Sequence, residues 1–139
     1  MSTEESGQLA RVEELAEGEC MELLGTKEVG RVAYNDPDGP VVMPVNYVLQ
    51  DGMVLFRVAP YSRLADRLRD GGAASFQVDQ VDEEGHTGWS VLVRGHAARA
   101  NRWDLPEADS RPTPWAEGGR NLHVRLSPHQ VTGVRLIGQ

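Results

Sequence analysis

The chain has 139 residues, enough for one domain with a real core and too few for two. Hydrophobic residues make up 40% and charged residues 25%, an ordinary globular composition, and the net charge of −7 argues against a nucleic-acid binder, which carries the opposite balance. The lone cysteine, Cys20, excludes an intrachain disulfide and a thiolate metal cage.

Residues 1–8 are polar and read as a disordered tail. Leu9, Val12, Leu15 and Ala16 recur at helical spacing, which predicts a first helix interrupted at Gly18. A second short helix is expected over residues 19–24, stopping at Gly25 and burying Cys20 as a soft apolar side chain.

From Val29 the texture changes to strands: 29–34, 41–49 and 53–58. The turn-rich run Asn35-Asp36-Pro37-Asp38-Gly39 separates the first two, and Asp51-Gly52 closes a hairpin between the second and third, because both positions tolerate positive φ. Residues 62–70 predict a short helix ended by Gly71-Gly72. Strands over 73–81 and 87–100 follow, linked by Asp82-Glu83-Glu84-Gly85. Pro106, Pro112 and Pro114 make residues 101–119 irregular. Two final strands are expected at 121–127 and 130–137. Six or seven mostly antiparallel strands with a few short flanking helices predict a mainly β, small closed barrel forming one domain over 1–139.

Parity in the second strand puts Val41, Met43, Val45, Tyr47 and Leu49 on the core face. Val42, Pro44, Asn46 and Val48 fall on the other. That second face is also largely apolar, so a subunit partner or a flat ligand is expected to cover it.

The stretch "FRVAPYSRL", residues 56–64, carries the main chemical signal. Ser62 suits a helix N-cap, and Arg63 then sits at the positive end of a helix, where a cation is disfavoured unless an anion joins it. With Arg57 upstream, Ser62 and Arg63 make a candidate phosphate site. The alternative is that Arg63 points into solvent or pairs with Asp66 or Asp70. Arg67 and Arg69 read as the cationic last turn of the same helix.

The ordered segments "GRVAY" (30–34), "PVNYVLQDG" (44–52), "FRVAPYSRL" (56–64), "FQVDQVD" (76–82) and "GWSVLVRGHA" (88–97) resemble the pyridoxamine 5'-phosphate oxidase-like flavin-binding split barrels. The resemblance is closest to their short actinobacterial-type members and runs from about Glu19 to Ile137. It implies a homodimer holding FMN in clefts between subunits. Ser62 and Arg63 would take the phosphate, with Arg57 and Val58 beside the cofactor. Pro44, Val45 and Asn46 would border the ring, and Trp89 and Ser90 would lie close to the ring or ribityl chain.

Two departures qualify the match. Family members often carry Thr and Gly where this chain has Val58 and Ala59, and Pro60 removes a backbone N–H from the loop. The chain also ends "HVRLSPHQVTGVRLIGQ", without the longer substrate-binding tail of the vitamin oxidases, so true pyridoxamine-phosphate oxidase activity is not expected.

The resulting expectation is a cytoplasmic FMN-dependent oxidoreductase with a small-molecule substrate and no catalytic side chain assigned. Two alternatives stand beside it: a deazaflavin-dependent reductase, or a non-catalytic flavin-binding or sensor module, with no cofactor as the limiting case. The absence of an apolar run of ~18 residues speaks against a membrane span.

His86, His96, His123 and His129 match no compact ligand motif, so no metal is expected. His96 or His123 would serve as a proton donor only if facing a cleft. Trp103 and Trp115 bracket the irregular segment, either covering a ligand cleft or pinning a loop to the barrel. Tyr47 reads as core.

Overall fold

The computed structural model describes residues 9–116, 118–119 and 122–138. The expected loose tail, residues 1–8, lies outside them. The elements in chain order are β1 (Arg11–Glu14), α1 (Glu17–Leu24), β2 (Val29–Asp36), β3 (Gly39–Gln50), β4 (Met53–Val58), α2 (Arg63–Arg67), β5 (Gly72–Asp82), β6 (Thr87–Arg99) and β7 (Leu122–Ile137). Two single 3-10 turns, Arg102–Asp104 and Ala108–Ser110, lie between β6 and β7.

All pairings are antiparallel, in the order β1-β7-β4-β3-β2-β5-β6, and β6 also pairs with β7. That last pairing closes six strands into a barrel, as the split-barrel expectation requires. β7 is the longest strand, and its two ends serve different neighbours. Leu122 to Leu126 pair with β4, whereas Val134 to Ile137 pair with β1.

Local chemistry explains the hairpins and caps. Asp51 and Gly52 have φ of 51° and 77°, the doubly left-handed turn that two-residue hairpins favour. Ser62 caps α2 by accepting from the Ala65 N–H at 3.1 Å.

The barrel interior follows the parity of the strands. Val45 and Tyr47 are buried, and Val41, Met43 and Leu49 pack against the same cluster. At its centre Phe76 meets Tyr47 edge-on, with ring centroids 4.7 Å apart, and stacks near Phe56 at 6.5 Å. Gly30 is required here, since a Cβ would overlap the Phe76 ring. Cys20 and Leu24 of α1 and Leu64 of α2 complete the interior. Burial pushes the Cys20 thiol up, with the charges of Glu19 and then Glu17 adding to it, so this cysteine is an inert core residue.

The structure corrects two expectations. Residues 11–14 form a strand and not a helix, because the open edge of β7 supplies backbone partners that outweigh the weak helical spacing. Of the apolar positions of that spacing, Leu9 and Val12 remain exposed, whereas Leu15 joins the core. The two expected final strands are one. Pro128 falls at an irregularity, where Arg94 pairs with Gln130 but Gly95 pairs with Pro128, so His129 is an extra residue in the ladder. A bulge is where a sheet tolerates a proline without an N–H to donate.

Candidate functional site

Part of the exterior of β3, β4 and β7 is covered by the chain itself. Leu55 points out of the barrel yet is fully buried, and it belongs to no interior cluster. Residues 101–116 cross over this exterior and are tied down by polar anchors. The Arg125 guanidinium donates from Nη2 to the Asp104 carbonyl at 2.6 Å and to Gln50 Oε1 at 3.0 Å. Gln50 Nε2 donates to the same Asp104 carbonyl at 3.1 Å. Arg57 Nη1 donates to the Pro112 carbonyl at 3.1 Å, and the Trp115 N–H donates to Asn46 Oδ1 at 2.9 Å. Within the segment, Arg111 Nε donates to the Pro106 carbonyl at 2.8 Å.

Where this cover ends, a cleft of about 340 Å³ opens between it and the barrel. Pro44, Val45 and Asn46 of β3 form one wall, Arg57 and Val58 of β4 another, and Trp115 closes the side. The cleft is mostly apolar with two polar groups, the usual makeup of a small-molecule site. Because Asn46 spends its oxygen on the Trp115 N–H, its amide NH2 is the end left to donate to a ligand. Arg57 adds a positive charge. The arrangement suits a flat, largely apolar ring with hydrogen-bond acceptors along one edge.

The structure therefore brings together Pro44, Val45, Asn46, Arg57 and Val58, but not the remaining candidates. Val58 contributes to the cleft wall while its side chain is buried in the barrel. Ser62 is engaged in capping α2 and also donates to the Ala59 carbonyl at 2.7 Å. Arg63 lies in a separate cluster at the tip of the β2–β3 hairpin. It pairs with Asp36 at 3.0 Å and with Asp38 at 3.6 Å, and Arg67 approaches Asp36 at 3.9 Å. The Asp36 side chain is only 5% exposed, so these arginines offset a buried carboxylate. The partners considered from sequence, Asp66 and Asp70, are not the ones used; Asp66 pairs with Arg69 at 2.8 Å.

Trp89 is partly buried against the barrel interior, whereas the next residue, Ser90, lines an exterior groove with Leu15 and Thr132. Neither touches the cleft within one chain. His123 is buried, and His96 and His129 are exposed on the barrel surface. His86 adopts positive φ in the β5–β6 turn. Among the described residues no group of three or more His, Cys, Asp or Glu gathers to hold a metal, and no helix is long and apolar enough to cross a membrane.

Sequence reasoning missed the anchors of the cover, above all Gln50, Asp104 and Arg125. A charged residue at an outward position of a strand reads as solvated; the apolar outward face of β3 pointed to a cover, expected as a subunit partner or a flat ligand, and not to residues 101–116 of the same chain. Trp115 lines the cleft with its side chain largely exposed, and its backbone N–H, not its indole, ties the segment to Asn46.

Comparison with known proteins agrees with this architecture. The family model for pyridoxamine 5'-phosphate oxidase matches residues 16–135. An uncharacterised protein of Mycobacterium tuberculosis is 32% identical over 141 residues, spanning 95% of this chain and 91% of its own length. The structure of a FAD-binding protein from Mycobacterium smegmatis superposes with a TM-score of 0.70 at 31% identity, covering 90% of this chain and 98% of that one. A conserved protein of unknown function from Corynebacterium diphtheriae gives a TM-score of 0.74 at 26% identity, covering 91% and 98%.

Proposed function

We propose, on the premise that the chain belongs to the pyridoxamine 5'-phosphate oxidase family, that it is an FMN-dependent oxidoreductase acting on a small molecule. The observation that carries this reading is the cleft at Asn46 and Arg57, with its apolar walls and donor-bearing end. A flavin, when bound, supplies the electron or hydride transfer, and the protein supplies binding, orientation and exclusion of water.

The chain's own residues divide that work. Pro44 and Trp115 offer apolar surface to the ring, and Val45, its side chain buried in the barrel, continues the wall between Pro44 and Asn46. The Asn46 amide would be placed to donate to an acceptor on the ring edge, and the Arg57 guanidinium would favour negative charge there. Residues 111–116 hold both groups in place and keep water from one side of the cleft, which strengthens these interactions. Ser62 and Arg63 are assigned to the phosphate by the family resemblance. In the free chain Arg63 is held by Asp36 and Asp38, so phosphate binding there exchanges one anionic partner for another.

A homodimer is part of the reading. A second subunit would bring Trp89 and Ser90 toward the cleft and would cover exterior apolar residues such as Val12 and Val42, which are 64% and 63% exposed.

The test is titration of the purified protein with FMN, riboflavin and FAD, followed by flavin fluorescence and visible absorption. FMN is expected to bind, and Arg63→Ala to weaken FMN by roughly tenfold, the loss of one charge-assisted contact, while leaving riboflavin unchanged. Equal losses for both ligands would remove the phosphate role from Arg63. A protein that binds none of the three flavins overturns the proposal. FAD binding more tightly than FMN would reassign the cofactor within the flavin class. Reduction of the bound flavin by NADPH then separates an enzyme from a flavin-binding module.

A further inference from the structure

A second cavity, of about 450 Å³ and larger than the cleft, lies where the chain leaves β6 and returns into β7. Arg99, Asn101, Arg102, Trp103, Leu122 and His123 line it. It shares no lining residue with the cleft, but the two are neighbours. Arg57 pairs with His123 and Val58 with Leu122 across β4 and β7, so one strand spacing of roughly 4.8 Å separates them.

Its chemistry is at odds with the rest of the molecule. The chain carries −7, yet the described lining holds two arginines, a histidine and no carboxylate. Asp104, the acid nearest in sequence, is not part of the lining; its carboxylate lies between the Asn101 amide, which donates to it at 3.5 Å, and the Arg125 guanidinium at 4.0 Å. Among the described residues neither arginine is ion-paired, and two such arginines suit an anion with several acceptor oxygens, which arginine meets through its forked donors.

The second feature is aromatic. Trp103 is 87% exposed, an unusual position for so large an apolar surface, and the Arg102 guanidinium lies 5.5 Å from its ring centroid. A flat ligand would remove that indole from water by stacking.

We propose that this cavity binds an aromatic anion of the nucleoside monophosphate class, its phosphate held by Arg99 and Arg102 and its base stacked on Trp103. The site is distinct from the proposed flavin cleft and does not depend on it.

Isothermal titration with 5'-AMP, adenosine and inorganic phosphate tests the assignment. 5'-AMP should bind more tightly than adenosine or phosphate. Arg102→Gln and Trp103→Ala should each weaken 5'-AMP by about tenfold, the effect of one charge-assisted or stacking contact. Both side chains are exposed, so neither change threatens folding. Phosphate binding should fall with Arg102→Gln and not with Trp103→Ala. Saturating FMN should leave the affinity for 5'-AMP within about twofold, since no lining residue is shared.

The proposal is overturned if 5'-AMP binds no tighter than phosphate, if Trp103→Ala leaves it unchanged, or if FMN displaces it competitively. A protein that binds 5'-AMP in this pattern but no flavin would sink the flavin reading and leave this one standing.

Discussion

Leu55 and Phe56 are adjacent in β4 and both are fully buried, but different structures bury them. Phe56 faces the barrel interior and packs among residues that strand alternation alone would select, such as Val54 and Phe76. Leu55 faces outward beneath residues 101–116, a segment held by polar anchors with little regular backbone pairing of its own. The interior is one continuous apolar cluster, whose loss the whole fold would feel. The exterior cover rests on a few hydrogen bonds at Asn46, Gln50, Arg57 and Arg125. The candidate ligand cleft lies under the second kind of structure. Binding surfaces need local adaptability, and a barrel wall can lend rigidity to one side while a loop shapes the other.

The comparison can be broken first from the inside. Phe76→Ala removes the ring that fills the space over Gly30 and joins Tyr47 to Phe56. It should cost roughly 3–5 kcal/mol, read as a fall in the denaturant midpoint of unfolding. A loss below about 1 kcal/mol, the range of many surface changes, would mean that this ring is not central to the core.

A smaller and different response is expected from the outside. Arg125→Ala removes the bonds to Gln50 and to the Asp104 carbonyl, which share one guanidinium nitrogen, and should cost about 1.5–3 kcal/mol in all, the range for a hydrogen bond to a charged group. Part of that cost should appear as local opening, so limited proteolysis should cut within residues 101–116 faster while β-sheet circular dichroism stays unchanged. Unaltered cleavage would show that the cover is held by packing and not by these anchors.

The smallest effect sharpens the contrast by pH. Tyr47 donates its phenol proton to the Leu24 carbonyl inside the barrel, and burial pushes its pKa up to about 12. The folded protein therefore holds this proton more tightly than the unfolded chain does. The associated stability is whole below pH about 10 and is lost as pH rises from about 10 to about 12. Tyr47→Phe should cost about 1 kcal/mol at pH 7, for one net hydrogen bond, and should flatten the decline in that alkaline window. Unfolding midpoints of both proteins at pH 7, 10 and 11.5 provide the check; parallel declines would count against this role for the phenol.

Much of the molecule was legible in its residues. The strands from Val29 to Arg99 were readable because alternation, Asp51-Gly52 and the Ser62 cap are local signals acting over two to four residues. The resemblance carried the family and the cleft walls at Pro44, Val45, Asn46, Arg57 and Val58. Arg63 shows where such reading stops. A cation at a helix start was visible, but its partner Asp36 is 27 residues away in sequence, at the tip of another hairpin.

The sequence by itself therefore determined the alternating interior, the tight turns, the short helix that buries Cys20 and the supply of polar groups for a site. Tertiary structure decided that residues 11–14 become a strand on the edge of β7, that β7 runs through Pro128, and that residues 101–116 fold over Leu55. It also decided which candidates share a cleft and which stand apart. The division has one physical cause. Turn and parity preferences are written in neighbouring residues, whereas edge pairing, burial of an outward face and the choice of a counter-ion depend on segments that meet only when the barrel closes.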